Sequence, residues 1–510
     1  MGAAPCVEAD LVVVGFGAAG MAAALSAALR GAEVIVLEKQ PSDAHTPSTR
    51  MSGGVIMGVN DVAGAARYLH ACAGGMVPEE VCSAWARRAE RLLAWLEETG
   101  AGEELALVRI GGAEQELDGA EAIDCYMQGL PSDAAALARE SASLIAAGLG
   151  RNSLDRRTGR DLYRILRRLV EERDEVTVQW DSAARRLLTD AAGRVVGAEA
   201  QTPQGPVGVR ARAGVVLACG GYEFDAELRR NYLKAEPIYF YGNPGNTGDG
   251  VRMAQAVGAD LWHMNQMIGR AVGRFLDEDG VEQVFQFRMS PPGYVITDRH
   301  GRRFASEQPQ AESKHAYYHH LIVYDPDARE YPRIPSYWFF DRRRIEAGIL
   351  TSPVSGRVGV GLYDWSEDNR REIAQGWIAE GATIADAAAA AGVLDPSRAA
   401  ATVAAYNSAC ADGEDPLGRP ADTLVALDQP PYYCVPLYPG GSNTSGGPRR
   451  DAAARVLGVE RNPIPGLFAA GELGSPMAQL YPADGSNLSE ALCFGQIAAE
   501  TALNELKERR

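Results

Sequence analysis

The sequence predicts an α/β fold in which one domain is built from both ends of the chain and an α+β domain is inserted between them. An apolar run at 11–14 is typical of a buried parallel strand, and it leads directly into a glycine-rich turn and an alanine-rich helix. Near the other end, a second glycine turn at Gly485 leads into another helix. Aromatic and arginine residues become dense over 261–426, which indicates a separate capping domain. We therefore assign 1–260 and 427–510 to the first domain.

The first strand, turn and helix match the pattern of a dinucleotide-binding site. Gly15, Gly17 and Gly20 have the GxGxxG spacing. The first two let the backbone turn and approach a pyrophosphate, the third lets helix and strand pack closely, and the helix N-terminus supplies amide donors. Glu38 follows the next strand, 33–37, where it can accept both hydroxyls of a ribose. This order predicts a Rossmann-like domain with a bound dinucleotide, and the alternative is a glycine-rich turn without a ligand.

The remaining elements follow from apolar periodicity and from turn-forming residues. In chain order, the sequence predicts helices over 62–105, a helix over 160–173, strands at 176–180, 194–200 and 207–211, a buried strand at 213–222, a glycine-rich turn and helix over 243–260, a hairpin over 294–307, helices at 384–391 and 397–411, and a strand at 467–470. The three strands after 176 form a β-meander with a turn at 190–194.

Composition excludes several classes of function. The net charge of −17 opposes binding to nucleic acid or to an anionic membrane, because phosphates would be repelled. No uncharged stretch reaches the length of a membrane span, and residues 1–8 do not have the pattern of a signal peptide. The eight cysteines are scattered without CxxC spacing, so no metal or haem site is predicted. We expect free thiols and a cytoplasmic protein.

Seven segments, spread over nearly the whole chain, resemble in order those of the flavoprotein family that contains soluble fumarate reductases, L-aspartate oxidase and 3-ketosteroid dehydrogenases. The matching segments are GFGAAG with Glu38, STRMSGG, ACGGY, NTGDG, GRRFASE, NPIPGLFAAGE and GSNLSEALCFGQIA. The resemblance implies that the dinucleotide is FAD and that the capping domain is mobile. It also implies a reaction that adds or removes hydrogen across a carbon–carbon bond beside a carbonyl, with hydride passing through flavin N5.

Residues in and between these segments are the expected ligands of FAD. The loop at 41–54 would wrap the pyrophosphate and flavin, and the first strand of the meander would reach the adenine. Asp249 is either a helix cap or a ligand. We expect non-covalent binding, since a lone loop histidine such as His45 is typically solvated. The expected FAD-binding residues are Gly15, Gly17, Ala18, Ala19, Gly20, Glu38, Lys39, Thr49, Arg50, Ser52, Gly53, Gly54, Ala183, Ala218, Cys219, Gly220, Asp249, Gly471, Glu472, Ser486, Asn487 and Leu488.

The segment expected to bind the substrate differs in sequence from that of the dicarboxylate-binding members of the family. Those members carry an arginine, in a pattern like NRLGGN, where this chain has YPADG at 481–485. Asn443 stands near the position of their histidine. YPADG is similar instead to the YPGPG of ketosteroid 1,2-dehydrogenases. This likeness implies that the Tyr481 hydroxyl and the Gly485 amide hold a ketone oxygen, with Asp484 directed to solvent, although Tyr481 could instead pack beneath the flavin.

No motif identifies the proton-transfer residue. In the ketosteroid branch a tyrosine comes shortly after an RFxNE-like motif, whereas GRRFASE is followed here by QPQA. Tyr318 is our candidate, and His315 would share its helix face. We expect a small apolar cyclic ketone or enone as substrate, with steroid-like or polyketide-like compounds favoured, and the direction and the external electron acceptor or donor stay open. The alternatives are a reductase of an unsaturated acid, bound by arginines of the capping domain, and a flavin-binding protein without turnover.

Overall fold

The structure is a computed structural model that describes residues 6–105, 107–128, 157–308, 315–351, 363 and 365–510. Within these ranges the strands are β1 Cys6–Val14, β2 Val34–Leu37, β3 Ile56–Val59, β4 Leu107–Gly112, β5 Ile123–Gln128, β6 Val176–Gln179, β7 Ala183–Thr189, β8 Val195–Thr202, β9 Gly205–Leu217, β10 Tyr239–Phe240, β11 Leu261–Trp262, β12 Met267–Leu276, β13 Glu282–Gln286, β14 Tyr294–Thr297, β15 Ser336–Asp341, β16 Ala379–Gly381, β17 Tyr432–Thr444, β18 Gly447–Pro448, β19 Arg455–Leu457 and β20 Pro463–Ala469.

The helices in the same ranges are spread along the whole chain. They are α1 Ala18–Ala28, α2 Ser48–Met51, α3 Val62–Cys72, α4 Glu79–Glu90, α5 Leu92–Glu98, α6 Gly102–Leu105, α7 Arg157–Glu171, α8 Ala226–Tyr232, α9 Asp249–Ala256, α10 Tyr318–Leu321, α11 Arg342–Glu346, α12 Arg370–Ala374, α13 Ile384–Ala391, α14 Pro396–Asp412 and α15 Ser486–Arg509, with 3₁₀ turns at Ala120–Ala122 and Ala421–Thr423.

An eight-stranded sheet forms the centre of the first domain. Strands β6, β2, β1, β9 and β20 lie side by side and are parallel, so Val12 of β1 faces Ile35 of β2 on one side and Val215 of β9 on the other. Strand β19 is antiparallel to β20, and β7, β8 and β9 form an antiparallel meander. The prediction was wrong about its first strand, because 176–179 forms β6 in the parallel sheet and the unpredicted strand β7 takes that place. The apolar run at 11–14 is buried, as expected for a parallel strand with both faces covered.

Helices from the two ends of the chain pack against each other on this sheet. Every residue of α1 is buried. A side chain at Gly495 of α15 would overlap the carbonyl oxygen of Ala19 in α1, so only glycine allows the two helices to approach this closely. Together with the pairing of β20 against β9, this contact confirms that distant segments of the chain form one α/β domain.

A seven-stranded sheet carries the aromatic-rich part of the chain. Its order is β13, β12, β17, β15 and β14, with β10 and β16 also paired to β17. The rings of Phe275 and Trp377 stack with centroids 4.9 Å apart, and Phe285 packs edge-on against Trp365. The central strand β17 lies after the proposed boundary at 426, which itself stays a prediction.

The described residues contain neither a membrane-spanning helix nor a cluster of metal ligands. Among these residues, no helix is both long and apolar enough to cross a membrane. In the same ranges, His, Cys, Asp and Glu side chains form no group of three or more that could hold a metal ion.

Candidate active site

A cavity of about 550 Å³ opens at the carboxyl ends of the parallel strands. Val14 and Leu37, the last residues of β1 and β2, line it, and so do Ala218 and Gly471, which follow β9 and β20. Ligands of open α/β sheets bind in the crevice outside these strand ends. The cavity therefore lies where the sequence predicts a dinucleotide.

The glycine turn brings backbone close to the cavity for a steric reason. Gly15 has a φ of +99°, and a Cβ there would lie 2.5 Å from the carbonyl oxygen of Ala218. A Cβ at Gly20 would overlap the Gly15 carbonyl, so this third glycine serves helix–strand packing and does not line the cavity. The amide of Ala18, at the start of α1, donates to Thr49 Oγ1 at 2.8 Å.

Glu38 is held in place as an ionised acceptor. Its Oε2 accepts from the amide of Phe16 and its Oε1 from that of Gln40, each at 2.8 Å. Burial alone would raise the pKa of Glu38, but the His45 ring and these two amides hold it below its usual value. His45 is fully buried, with Nε2 3.5 Å from Glu38 Oε2, so the expectation of a solvated loop histidine is wrong.

Lys39 and Asp249 form an ion pair at the edge of the cavity. Lys39 Nζ lies 2.7 Å from Asp249 Oδ2 and 2.9 Å from Thr247 Oγ1. Asp249 is the first residue of α9 and makes no capping hydrogen bond, since Gly248 occupies the N-cap position. Asp249 therefore does not cap the helix, and a contact between Asp249 and the ligand stays a prediction.

Most of the expected FAD-binding residues line this one cavity. They are Gly15, Gly17, Ala18, Ala19, Glu38, Lys39, Thr49, Ser52, Gly53, Gly54, Ala218, Cys219, Gly220, Asp249, Gly471, Glu472, Asn487 and Leu488. Gly20, Arg50, Ala183 and Ser486 do not line it. In place of Ala183 its neighbour Ala184 faces the cavity, because successive side chains of a strand point to opposite sides.

Arg50 and Ser486 instead hold backbone segments next to the cavity. Arg50 is buried, donates through Nη1 to the carbonyl oxygen of His45 at 2.9 Å, and lies 5.4 Å from the centroid of the Tyr163 ring. Ser486 Oγ donates to the carbonyl oxygen of Ala483 at 2.7 Å and fixes the turn before α15.

Two buried carboxyl groups share one amide beside the cavity. Asn246 Nδ2 donates to Glu223 Oε1 at 2.6 Å and to Glu472 Oε2 at 3.0 Å. Burial raises the pKa of Glu223 to about 7 and raises that of Glu472 well above its usual value. At least one of the two therefore holds a proton at neutral pH. Glu223 was not predicted, since nothing in ACGGYE marks its side chain as facing Glu472.

The residues that line this cavity fit a flavin dinucleotide. Its glycine turn excludes side chains from a region next to a helix N-terminus, where a pyrophosphate binds well. Glu38 supplies an ionised acceptor for hydroxyl groups. At the other end, the buried Oδ1 of Asn487 accepts no hydrogen bond from the described residues and is left for a ligand donor.

The opposite end of the cavity contains the YPADG turn. Gly485 has a φ of +90°, and a Cβ there would lie 2.6 Å from the carbonyl oxygen of Val55. Its amide finds no acceptor within the part of the chain that is described. Burial, and next the Asp484 carboxylate, raise the pKa of Tyr481, so its hydroxyl keeps its proton. Asp484 is half-buried and lines the cavity.

Asn443 also lies at this end of the cavity. Its Oδ1 accepts from Asn487 Nδ2 at 2.9 Å and from Ser442 Oγ at 2.7 Å. These contacts link β17 to the first turn of α15, and they place Asn443 beside the expected ketone-binding turn.

Tyr318, our candidate for proton transfer, does not line the cavity. Its side chain is buried against Gly269 of β12, where a Cβ would overlap the ring. The residue that does face the cavity is His315, three positions earlier, whose ring centroid lies 4.6 Å from that of Tyr481. The helical spacing was a poor guide here because α10 begins only at Tyr318.

His315 belongs to a chain of polar contacts. Its Nδ1 lies 3.0 Å from Glu114 Oε2, and its Nε2 lies 2.8 Å from Arg270 Nη2. The amide of Glu114 donates to the carbonyl oxygen of Pro482 at 2.8 Å, which ties Glu114 to the YPADG turn. Glu114 and Arg270 were not predicted, because they come from separate segments and neither belongs to a motif.

The parallel sheet, the glycine turn and the acid that follows β2 define a dinucleotide-binding α/β protein. The chain belongs to the FAD binding domain family, whose sequence profile matches residues 10–488. The cofactor is therefore FAD, and the chain is an FAD-dependent oxidoreductase, as the sequence predicts.

Individual relatives cover nearly the full chain. A 3-oxosteroid 1-dehydrogenase of Mycobacterium tuberculosis is 30% identical over 96% of this chain and 98% of its own length. A 4-oxocyclohexanecarboxylate 2-dehydrogenase of Sinomonas cyclohexanicum is 28% identical over 96% of this chain and 92% of its own. A crystal structure of 3-ketosteroid Δ1-dehydrogenase from Sterolibacterium denitrificans has a TM-score of 0.79 at 23% identity, over 99% of this chain and 100% of that one, which is a likeness of fold.

Proposed function

We propose that the protein adds or removes hydrogen across the carbon–carbon bond next to the carbonyl of a cyclic ketone. The observation that supports this most is the pair of donors at one end of the cavity. The Gly485 amide has no acceptor among the described residues, and the Tyr481 hydroxyl keeps its proton. Two such donors suit a ketone oxygen that gains negative charge as an adjacent C–H bond breaks.

FAD, when bound, accepts or supplies the hydride on one carbon of that bond. The chain itself handles the proton on the other carbon. We propose His315 for this step in place of Tyr318. A guanidinium can only donate, so Arg270 marks Nε2 of His315 as the nitrogen with the lone pair, and Nδ1–H donates to Glu114. The Glu114 carboxylate then stabilises the imidazolium that forms when Nε2 takes up a proton.

The names of the relatives support a ring-bound oxo group in the substrate. The relatives from Mycobacterium tuberculosis and Sinomonas cyclohexanicum are named as dehydrogenases of an oxosteroid and of an oxocyclohexanecarboxylate. Tyr241, Ile268 and Met127 give this end of the cavity apolar surface for such a ring. The likeness does not choose between desaturation and reduction.

We also propose a cytoplasmic location, on the state of the thiols. Cys72, Cys82, Cys125, Cys219, Cys410, Cys434 and Cys493 are free. Free thiols are typical of a reducing compartment.

The proposal is tested by mixing the purified holoenzyme with cyclic ketones in the absence of oxygen. A saturated ketone should bleach the yellow absorbance of the oxidised flavin, or the matching enone should restore it to chemically reduced enzyme. Acyclic unsaturated acids serve as the control. If these acids reoxidise the flavin and no cyclic ketone or enone reacts, the proposed function is wrong.

A further inference from the structure

Arg270 is a buried cation at the substrate end of the cavity. It lies on β12, it lines the cavity, and only 7% of the residue is exposed. Its Nη2 donates to His315 Nε2, and its guanidinium carbon lies 5.6 Å from the centroid of the Tyr241 ring. Nε is enclosed without an acceptor, and no carboxylate of the described residues lies within 4.0 Å of the guanidinium.

Two other buried arginines of this protein have oxygen acceptors for their charge. Arg450 forms an ion pair with Glu490 and also donates to the carbonyl oxygen of Ala469. Arg344 is surrounded by backbone carbonyl oxygens, to which Nε, Nη1 and Nη2 all donate. Burying a charge without a partner is strongly unfavourable. Arg270 is therefore arranged to receive an anionic partner that comes from outside the chain.

We propose that Arg270 binds a carboxylate on the substrate, so that the substrate class is a cyclic oxo acid and not a neutral ketone. A guanidinium matches a carboxylate better than any other anion of this size, since two parallel N–H donors meet two oxygens. The inference rests on the proposed function, because the same ring must also present its ketone to Tyr481 and Gly485. Arg270 lies on β12 of the seven-stranded sheet, whereas Gly15, which we assign to the pyrophosphate of FAD, follows β1 of the eight-stranded sheet.

Binding of a carboxylate also has a consequence for His315. In the structure Arg270 occupies Nε2 of His315, the nitrogen that takes up the proton in the proposed reaction. A carboxylate competes with His315 for the guanidinium and so leaves the Nε2 lone pair for the substrate C–H bond. A neutral ketone offers no such competition, and its reaction is slower for this second reason.

The inference is tested first by binding alone. The holoenzyme is titrated with cyclohexanecarboxylate and with cyclohexanecarboxamide, which has the same shape without the charge, and binding is followed by calorimetry and by the flavin spectrum. The acid should bind at least about tenfold more tightly than the amide. Arg270→Gln should weaken binding of the acid roughly 10- to 100-fold and leave the amide unchanged. Arg270→Lys should retain part of the preference, since it keeps the charge but loses the planar fork.

Arg274→Gln is the matched control. Arg274 lies four residues further along β12, pairs with Glu282 at 3.0 Å, and does not line the cavity. This variant should bind both ligands as the wild type does. Equal binding of acid and amide to the wild type, or an acid affinity that survives in Arg270→Gln, overturns the inference. If Arg270→Gln does not retain FAD, the wild-type comparison and Arg270→Lys still decide.

Neither ligand contains a ketone, so this result is independent of turnover. The reaction is then measured with 4-oxocyclohexanecarboxylate and its amide. If both ketones reduce the flavin equally well in wild type and in Arg270→Gln, the carboxylate site is refuted and the proposed function stands. If the acid binds through Arg270 but neither ketone reduces the flavin, the carboxylate site stands and the proposed function fails.

Discussion

Nδ1 of His315 lies 3.0 Å from Oε2 of Glu114, beside the YPADG turn at 481–485. His315 precedes α10, and Glu114 follows β4 and is fixed by its amide to the carbonyl oxygen of Pro482. Glu114 thus orients the imidazole from one side, while its other nitrogen, Nε2, accepts from Arg270 Nη2. This pairing is the basis of the proposed proton transfer.

Removal of the imidazole should nearly abolish the reaction. His315→Ala is expected to slow anaerobic flavin reduction by about 10²- to 10⁴-fold, the usual contribution of a general acid or base. Added imidazole should restore part of the rate, which a purely structural role would not allow. Tyr318→Phe is the control and should react like the wild type, because Tyr318 lies outside the cavity. If Tyr318→Phe loses rate and His315→Ala does not, then Tyr318 and not His315 transfers the proton.

Loss of the Tyr481 hydroxyl should reduce the rate without loss of FAD. Tyr481→Phe is expected to slow flavin reduction by about two orders of magnitude, as is typical when one donor to a developing oxyanion is lost. Tyr239→Phe, which removes a hydroxyl outside the cavity, should be without effect. The measurement is rapid-mixing absorbance of the flavin. An unchanged rate in Tyr481→Phe would assign this residue to packing only.

Glu38 should control the retention of the cofactor. Glu38→Ala removes the acceptor expected for the ribose hydroxyls and should weaken FAD binding about 10- to 100-fold. Glu33→Ala is the matched control, since Glu33 pairs on the surface with Arg212 at 2.6 Å and does not line the cavity. The FAD content after gel filtration measures both variants. Full occupancy of Glu38→Ala would contradict the ribose-binding role.

Stability should fall as pH rises through the weakly acidic range. Burial raises the pKa of Glu223 from 4.5 to about 7, so the folded protein holds a proton that the unfolded chain has already released. Between these two values the native state therefore loses stability with increasing pH. Glu223→Gln should reduce this loss by on the order of 1–3 kcal/mol, seen as a shallower fall of Tm with pH.

The exposed residue Glu227 provides the control for this titration. Its side chain is 68% exposed, so Glu227→Gln should show the same dependence of Tm on pH as the wild type. A Glu223→Gln variant whose Tm falls as steeply as that of the wild type would show that Glu223 is ionised in the native protein.

The cofactor end of the site could be predicted from the sequence because its signals are local. Gly15 and Gly20 act through backbone geometry that the residue type reveals. Glu38 is an acid at a fixed place in the same stretch, directly after the second strand. Gly485 is a similar case, since a left-handed turn before a helix demands glycine. The fold itself followed from the same stretches at both ends of the chain.

The substrate end could be predicted only in part. Glu114, Arg270 and His315 come from three separate segments, and only the folded chain brings them together. Arg270 looks like an ordinary strand arginine in the sequence, because periodicity does not tell which side of β12 faces a ligand. The sequence also favours Tyr318 over His315 for proton transfer, because it does not show that the helix begins only at Tyr318.

The central claim is that this FAD enzyme changes the bond order of the carbon–carbon bond beside a ring ketone. It is tested most directly by a single turnover without oxygen, in which the organic product is identified by NMR and counted against the flavin reduced. With a saturated ketone we predict one equivalent of a ring enone, with its double bond next to the carbonyl, for each FAD reduced. With the enone and reduced enzyme we predict one equivalent of the saturated ketone for each FAD reoxidised. A flavin that is reduced while the ring carbons stay saturated, or a product oxidised at another position, would contradict the claim.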